Sequence, residues 1–373
     1  MCYRKLFIIN GTSVEIFKNE MMDFPLFDDV GSFPLPQNIE KETFNKFYWI
    51  AYKAYVNNID INENRGIFTY YITPLIEAFK NKLNAGVEII NYPQLMDMHN
   101  QFLKPITDFE IEPGLIEKSK ATVSEVKIIN DFAKQYYELN GTPIKLKLCV
   151  TGPIELYVKK HKFTVYYDLA LNYAKSVNIF LKNSILNTKY MQTSVISIDE
   201  PSFGYVDLLN IQDEDIIRIF DKALEGTKME DRDIQIHIHT LNRADIALKS
   251  EFINVVTCEY ASNKLNKIPK KVLEEYDKFI RVGICRTNID NIIAEYLDKG
   301  VKLEHLQTEQ GMVSLIDSEE IIERNLLDAL DLYGSRLKYI GPDCGLGGWP
   351  SQKTAGNLLS RINSVIHKVK QTV

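Results

Sequence analysis

Along most of this chain, short apolar runs alternate with longer segments in which apolar residues recur at helical spacing. The short runs predict buried strands, and the longer segments predict the helices that connect them. The predicted strands are residues 28–34, 87–91, 145–151, 195–199, 234–239, 254–259, 279–285 and 337–341. Helices are predicted within residues 40–84, 166–181, 214–224, 288–297 and 318–332. Eight strand–helix units are typical of an α/β fold of the TIM (β/α)8 barrel type.

The first residues of the chain depart from this alternation. Residues 5–17 contain two apolar runs joined by Asn10-Gly11, a dipeptide that favours a tight hairpin turn. We therefore predict an N-terminal hairpin extension over residues 1–25 and one (β/α)8 barrel over residues 26–373. A repeat, a low-complexity tract or a Pro/Gly-rich linker that would divide the chain is absent from the sequence. A doubly wound parallel sheet stays open as an alternative, because one strand more or less changes the count.

Charge and composition narrow the classes of partner. The 373 residues carry a formal net charge of −6, with a pI of about 5.7, which argues against a nucleic-acid partner. No apolar run approaches the roughly 20 residues that cross a bilayer, and residues 1–10 lack a secretory apolar core. We expect a cytoplasmic protein that does not bind a membrane. The five cysteines are spread widely and odd in number, which favours free thiols over disulfides.

Residues 234–240 alternate apolar and polar side chains. Because a strand points successive side chains to opposite faces, His237 and His239 share one face with Gln235, and three isoleucines fill the other. In a parallel barrel the polar face is the interior, where polar groups must be hydrogen-bonded or bind something. This stretch alone fits two interpretations, a metal-binding histidine pair or two hydrogen-bonded, half-buried histidines.

Most predicted strands end in polar or turn-forming residues at their carboxyl ends, where TIM barrels carry their active sites. These endings are Gly31-Ser32-Phe33-Pro34, Thr151-Gly152-Pro153, Asp199-Glu200-Pro201, His237-Ile238-His239, Glu259 and Pro342-Asp343-Cys344-Gly345. Each ending alone is compatible with an ordinary turn, but their coincidence predicts an active site. Alternation also turns Asp199 and Glu259 inward, and places Cys258 on the helix-facing side as a core thiol.

Two imidazoles, a carboxylate and a thiolate are expected together at this end of the barrel, from His237, His239, Glu259 and Cys344. Mixed nitrogen, oxygen and sulfur ligands suit Zn²⁺ in a tetrahedral site. Structural zinc sites are more often dominated by cysteines, whereas a replaceable carboxylate leaves a position for a substrate. A second thiol that enters the coordination sphere is deprotonated at neutral pH. The set therefore predicts alkyl transfer to a thiol.

The same residues carry a resemblance to a known family. The motifs are Gly31-Ser32-Phe33-Pro34, Thr151-Gly152-Pro153, Ile198-Asp199-Glu200-Pro201, His237-x-His239, Glu259 and Pro342-Asp343-Cys344-Gly345-Leu346. In this order, from residue 30 to the end, the chain resembles the catalytic domain of cobalamin-independent methionine synthase. It is similar to the short, single-barrel members common in archaea and some bacteria. The resemblance implies a zinc ion held by His237, Glu259 and Cys344, with homocysteine as the thiol.

The resemblance also implies how homocysteine is bound. Backbone and hydroxyl groups at Gly31 and Ser32 would bind its carboxylate, and Asp199 would bind its ammonium group. A carboxylate beside an ammonium group forms a charge-assisted pair, so this role suits Asp199 physically. Asp199 and Glu259 are the predicted catalytic residues, and methyl transfer to homocysteine to give methionine is the predicted reaction.

The chain departs from the family pattern at three places. His239 stands where the family has a cysteine, and we keep it as the fourth predicted zinc ligand. The family's second acidic partner of the amino group has no clear match; Gln94 and Asp97 are candidates, and Gln94 is assigned to the substrate site. After Asp-Glu-Pro, residues 202–205 lack the acidic residue that contacts the pterin in folate-dependent members.

The last departure, with the absence of the long enzymes' N-terminal barrel, weakens the case for a folate donor. The predicted methyl donor is a methylcorrinoid, free or protein-bound, or a methyl-pterin. Two alternatives stay open. One is a related zinc alkyltransferase acting on another thiol such as coenzyme M, and the other is a catalytically inactive barrel that binds a corrinoid protein.

Other polar residues receive structural interpretations. Lys145 and Lys147 are predicted to face inward with Cys149 as structural charges. Trp349 is expected either to cover the pocket or to pack on the last helix. The remaining histidines are predicted to be isolated surface or capping residues: His99, His161, His305 and His367.

Overall fold

The computed structural model describes residues 6–9, 12–15, 24–61, 63–204 and 210–372. Strands β1 (Leu6–Ile9) and β2 (Thr12–Glu15) pair antiparallel, with Ile9 opposite Thr12, as in the predicted hairpin. The Asn10-Gly11 turn lies outside the described residues. The division of the chain at residue 25 stays a prediction.

Eight parallel strands form the main sheet. The strands from residue 24 onward are β3 (Leu26–Phe27), β4 (Ile90–Asn91), β5 (Glu110–Glu112), β6 (Leu115–Ile116), β7 (Ile144–Thr151), β8 (Met191–Asp199), β9 (Asp233–His237), β10 (Val255–Cys258), β11 (Phe279–Cys285) and β12 (Leu337–Pro342). Strands β5 and β6 form a separate antiparallel pair. The order of the main sheet is β3-β12-β11-β10-β9-β8-β7-β4. From β7 to β12, strands that follow one another in the chain are adjacent in the sheet.

The main sheet closes on itself between β3 and β4, the two ends of this order. The backbone N–H groups of Glu88 and Ile89 donate to the carbonyl of Phe27 at 2.9 and 3.0 Å, and Asp28 pairs with Ile89. A cyclic order of eight parallel strands is a TIM barrel, which confirms the predicted fold and excludes the doubly wound sheet.

Helices follow the strands and pack around the sheet. They are α1 (Lys41–Val56), α2 (Arg65–Ile67), α3 (Thr73–Asn84), α4 (Met98–Asp108), α5 (Ser124–Asn140), α6 (Pro153–His161), α7 (Tyr167–Ser184), α8 (Asp213–Leu224), α9 (Ala244–Leu248), α10 (Lys270–Glu275), α11 (Ile289–Asp298), α12 (Leu303–Leu306), α13 (Glu309–Ser314), α14 (Glu319–Tyr333) and α15 (Gln352–Lys370). In α8, residues Ile216, Ile219, Phe220 and Ala223 are buried at the spacing of one helix face. Among the described residues, no helix has the length and apolar character to span a membrane.

The first barrel strand lies earlier than predicted. It comprises Leu26–Phe27, whereas the pattern placed it over residues 28–34. The polar side chains of Asp28 and Asp29 enter buried ion pairs, and the backbone at Gly31 has φ +140°, outside the strand region. The residues after Phe27 therefore lead from the sheet into the loop that borders the candidate site.

Side chains fill the barrel interior in layers. The layer toward the amino ends of the strands is apolar and contains Ile89, Val195, Val255 and Tyr339. The next layer toward the carboxyl ends is ionic. The alternation of β8, β9 and β10 then places polar side chains at the carboxyl end of the barrel, as their patterns predicted.

The ionic layer is built around one carboxylate. Oδ1 of Asp28 accepts a hydrogen bond from Arg281 Nε at 2.7 Å, and Oδ2 accepts from Gln235 Nε2 at 3.0 Å and from Lys147. All four side chains are buried. Burial favours the neutral acid, but Arg281 and Lys147 hold the pKa of Asp28 below its ordinary value. A Cβ at Gly341 would lie 2.7 Å from Nη2 of Arg281, so any larger residue at this position would crowd the guanidinium group.

Lys145 does not join this layer. Its side chain is exposed, so the prediction of a structural charge within the barrel is wrong for Lys145 and confirmed for Lys147, which is buried. The alternation within β7 is regular, because Ile144, Leu146 and Leu148 are all buried in the core on the other face. Lys145 therefore lies on the same face as Lys147 but nearer the amino end of the strand.

We expect Asp28→Asn to lower the free energy of unfolding by about 3–5 kcal/mol, because Arg281 and Lys147 lose their buried counter-charge. Urea unfolding followed by circular dichroism measures the change. Lys145→Gln, at an exposed position of the same barrel, is the control and should stay within about 0.5 kcal/mol of the wild type. Equal unfolding midpoints for Asp28→Asn and the wild type would refute this account of the ionic layer.

Glu125 on α5 predicts a pH dependence of stability. The side chain is buried, Oε1 accepts from Gln101 Nε2 at 3.0 Å, and burial raises its pKa to about 7. Its pKa in the unfolded chain is about 4.3, so between these values the folded state binds the extra proton. Stability should therefore fall by about 3.5–4 kcal/mol as pH rises through this window. Glu125→Gln should flatten the profile in urea titrations from pH 5 to 8; an unchanged slope would count against this assignment.

Candidate active site

The four predicted ligand residues meet at the carboxyl end of the barrel. His237 ends β9, His239 follows two residues later, Glu259 comes directly after β10, and Cys344 comes two residues after β12. One potential ligand atom from each lies within 4.8 Å of all the others. Strand ends far apart in sequence thus produce a possible metal site.

The distances suit one small ion. Cys344 Sγ lies 3.5 Å from His237 Nε2 and 3.6 Å from His239 Nε2, and His239 Nε2 lies 3.5 Å from Glu259 Oε1. In a tetrahedral zinc site with bonds of about 2.0–2.3 Å, ligand atoms are about 3.3–3.8 Å apart. The three separations fall within that range.

His237 is oriented by a neighbouring strand. Its Nδ1 lies 3.1 Å from Oγ1 of Thr257, which also accepts the backbone N–H of Ile238 at 3.2 Å. This contact leaves Nε2, the nitrogen that faces Cys344, available for a metal. Burial, with repulsion from His239 and the cations of the ionic layer, holds the pKa of His237 well below its ordinary value. The imidazole is therefore neutral, which is the form that binds metals.

The protein alone shifts both acidic members of the group toward their protonated forms. Burial, followed by repulsion from Asp343, raises the pKa of Glu259 to about 7, and burial also raises the pKa of the Cys344 thiol. A cation placed among these side chains has the opposite effect, because it favours the carboxylate and the thiolate.

A pocket of about 560 Å³ opens beside the ligand group. Its polar lining contains Ser32, Lys41, Gln94, Asp97, Asp199, His237, His239 and Cys344. Apolar side chains from the loops after β3 and β4, together with Trp349, form the rest of the wall. The pocket therefore has a floor of charged and potential metal-ligating side chains beside an apolar wall, the combination typical of small-molecule sites.

The loop after β3 packs closely against the side chain of Gln94. A Cβ at Gly31 would lie 2.4 Å from Oε1 of Gln94, and φ is +140°, so this position requires glycine. Lys82 Nζ fixes the loop by donating to the carbonyl of Gly31 at 2.8 Å and to Asp29 at 2.6 Å. Ser32 Oγ accepts the N–H of Gly347 at 3.2 Å. Ser32 reaches the pocket lining, and Gly31 forms the backbone behind it.

Asp199 ends β8 and is buried against the pocket. Its Oδ1 accepts a hydrogen bond from Ser197 Oγ at 3.0 Å. Burial raises its pKa to about 6, although Cys149 and Ser197 donate to the carboxylate. A cationic group in the pocket would stabilise the ionised carboxylate.

Gln94 and Asp97, the two candidates for a second contact with a substrate amino group, differ in their other hydrogen bonds. Gln94 lines the pocket and its Nε2 lies 3.4 Å from the hydroxyl of Tyr92. Asp97 also lines the pocket, but its Oδ1 accepts the N–H of Asn100 at 2.9 Å as the N-cap of α4. The amide oxygen of Gln94 is therefore the less committed acceptor.

Some residues around the site were not assigned from the sequence. Thr257 is one of them, because its contact with His237 depends on the pairing of β9 with β10. Trp349 both lines the pocket and is buried, and its indole N–H donates to the carbonyl of Thr287 at 3.1 Å. His99 is not isolated as predicted, since Nε2 lies 2.8 Å from Glu155. Cys258 is buried in the core and outside the ligand group.

Fold and site together define a TIM barrel with a candidate metal centre at the carboxyl ends of its strands. No protein-family model matches the chain. The chain is 21% identical over 225 residues to methionine synthase of Sulfolobus acidocaldarius, a match that covers 59% of this chain. The match spans 56% of that protein, a little over half its length.

Two solved structures share the fold over nearly the whole chain. A B12-independent methionine synthase from Shewanella sp. W3-18-1, in complex with selenomethionine, has a TM-score of 0.59 at 15% identity and covers 94% of this chain and 99% of its own. A putative vitamin-B12-independent methionine synthase from Listeria monocytogenes has a TM-score of 0.51 at 13% identity, covering 93% and 99%. These comparisons confirm the resemblance to the cobalamin-independent methionine synthase catalytic domain.

We expect His237→Ala and Cys344→Ser each to weaken Zn²⁺ binding more than about 100-fold, because each removes a ligand rather than a supporting contact. Competition with a chromophoric chelator measures the affinity. Cys258→Ala is the matched control, since it removes a buried thiol that faces away from the group. Loss of metal in the Cys258 variant would show that the assigned faces of β10 are wrong.

Proposed function

We propose that this protein is a zinc-dependent methyltransferase that moves a methyl group to the thiol of homocysteine and so makes methionine. The observation that carries the proposal is the grouping of His237, His239, Glu259 and Cys344. Three of them, His237, His239 and Cys344, line a pocket that Asp199 also lines. The methionine synthase relatives and the selenomethionine in the Shewanella structure support the same reaction.

The donor set fits zinc better than magnesium or calcium, which prefer all-oxygen sites. His237, His239 and Cys344 would hold the ion, and Glu259 would be the ligand that the substrate replaces. Bound zinc would act as a Lewis acid that lowers the pKa of the substrate thiol. Once the substrate replaces it, the Glu259 carboxylate could accept the thiol proton.

The other end of homocysteine carries an ammonium and a carboxylate group. Asp199 would form a charge-assisted pair with the ammonium group, and the amide oxygen of Gln94 would accept a second hydrogen bond. The hydroxyl of Ser32 and the backbone at Gly31 would bind the carboxylate. These contacts hold the sulfur at the ligand group, so that positioning supplies much of the rate enhancement.

Transfer would be a direct in-line displacement. The sulfur forms a bond to the methyl carbon as the bond between that carbon and the donor breaks, and the donor leaves with the electron pair. The donor is proposed to be a methylcorrinoid, free or protein-bound, or a methyl-pterin. The apolar wall formed by residues such as Phe33, Met96 and Trp349 would exclude water from the displacement.

Zinc-edge X-ray absorption with and without homocysteine tests the proposed function. We expect one zinc per chain, and one additional sulfur ligand when homocysteine is present. The same sample with coenzyme M separates the two thiol classes, and a preference for coenzyme M would favour the alternative alkyltransferase. Stoichiometric zinc without methyl transfer from methylcobalamin or methyl-pterin to either thiol would support the inactive, corrinoid-protein-binding barrel.

We expect Asp199→Asn to keep its zinc but to raise the KM for homocysteine about 10–100-fold, the cost of losing a charged hydrogen bond of about 1.5–3 kcal/mol. Steady-state kinetics measure the change. The matched control is 4-mercaptobutyrate, which lacks the ammonium group and should react equally with both proteins. An equal loss for both thiols would assign Asp199 a role other than binding the amino group.

A further inference from the structure

Two of the ligand residues come from strands that do not touch. Glu259 follows β10 and Cys344 follows β12, whereas β11 lies between these strands and contributes none of the four ligands. Hydrogen bonds between neighbouring strands therefore do not join the two segments directly. Another connection must set the distance between the carboxylate and the thiol.

The side chain of Asp343 makes that connection. Its Oδ1 accepts the backbone N–H of Ala261 at 3.0 Å, and Oδ2 accepts the N–H and the hydroxyl of Ser262 at 2.7 and 2.6 Å. Asp343 directly precedes Cys344, and Ala261 comes two residues after Glu259. One carboxylate thus joins the two ligand-bearing segments across an intervening strand.

Strand β11 has a glycine where the carboxylate of Asp343 crosses it. A Cβ at Gly283 would lie 2.0 Å from Oδ1 of Asp343, so any larger residue would occupy the path of the side chain. The strand also supports both segments, because the carbonyl of Gly283 accepts the N–H of Ala261 at 3.1 Å and that of Cys285 accepts the N–H of Asp343 at 2.8 Å. Asp343 is 1% exposed, so water does not compete for these bonds.

We propose that Asp343 is a positioning residue that fixes the segment carrying Glu259 relative to the segment carrying Cys344. The inference uses the metal site of the proposed function, but the connection is made by protein atoms and can be tested without metal. Asp343→Asn keeps the size of the side chain and replaces one acceptor oxygen with an NH₂ group, which faces N–H donors. The two segments should then separate.

The first measurement is the rate at which iodoacetamide modifies Cys344 in chelator-treated full-length protein, read by peptide mass spectrometry. We expect Asp343→Asn to raise this rate at least about threefold, because Cys344 is half-buried and its segment is released. Asp233→Asn is the matched control: Asp233 lies at the opposite end of the barrel, where it accepts from Asn254 at 2.6 Å and from Lys338 at 2.8 Å. An unchanged rate in folded Asp343→Asn would overturn the proposal.

The second measurement is Co²⁺ binding followed by the visible absorption of the bound ion. Asp343→Asn should weaken binding about 10–100-fold and alter the spectrum of the bound ion, whereas Asp233→Asn should change neither. Wild-type affinity and spectrum in Asp343→Asn would contradict a positioning role. A wild-type protein that binds neither Co²⁺ nor Zn²⁺ would refute the proposed function, while the alkylation rates would still decide the role of Asp343.

A milder variant is used if circular dichroism shows that Asp343→Asn is unfolded. Ser262→Ala removes the hydroxyl donor and leaves the two backbone hydrogen bonds. We expect a smaller increase in the alkylation of Cys344, about twofold, since one of three bonds is lost. An alkylation rate equal to that of the wild type would then overturn the proposal.

Discussion

A buried carboxylate between two cations is the constraint on which the rest of this barrel depends. Asp28 follows β3, Lys147 lies on β7 and Arg281 lies on β11. The two ion pairs of one carboxylate therefore connect three parts of the barrel. Burying such charges is costly unless their partners stay in place, so a barrel of another diameter or register would be penalised. The ionic layer thus specifies the arrangement of strand ends on which the candidate active site is built.

The candidate active site follows from that arrangement. Its side chains come from the ends of different strands, and several are supported by a neighbour that takes no part in the ligand group. Thr257 supports His237, Lys82 supports the Gly31 loop, and Asp343 supports the segments of Glu259 and Cys344. Such supporting contacts limit how far a ligand atom can move. They keep the group close together, with three of its separations already suited to one tetrahedral ion.

The donor set determines the charge of the proposed centre. Two neutral imidazoles, one carboxylate and one thiolate balance a divalent cation, and replacing the carboxylate with a substrate thiolate keeps that balance. With a second protein thiolate in place of His239, as in the resembling family, the centre would carry one more negative charge. A neutral centre would leave a bound thiolate less nucleophilic than an anionic centre would.

The sequence by itself determined the eight-strand alternation, the inward faces of β8 to β10, and the residues of the ligand group, because period-two patterning and strand endings are local properties. It did not determine the start of β3, the exposure of Lys145, or the pairing of His99 with Glu155. Those depend on how far each residue lies from the end of the barrel and on contacts between distant segments. Only the tertiary structure joined Asp28 to Arg281 and Asp343 to Ser262, since hydrogen bonds between residues far apart in the chain leave no periodic signal in sequence.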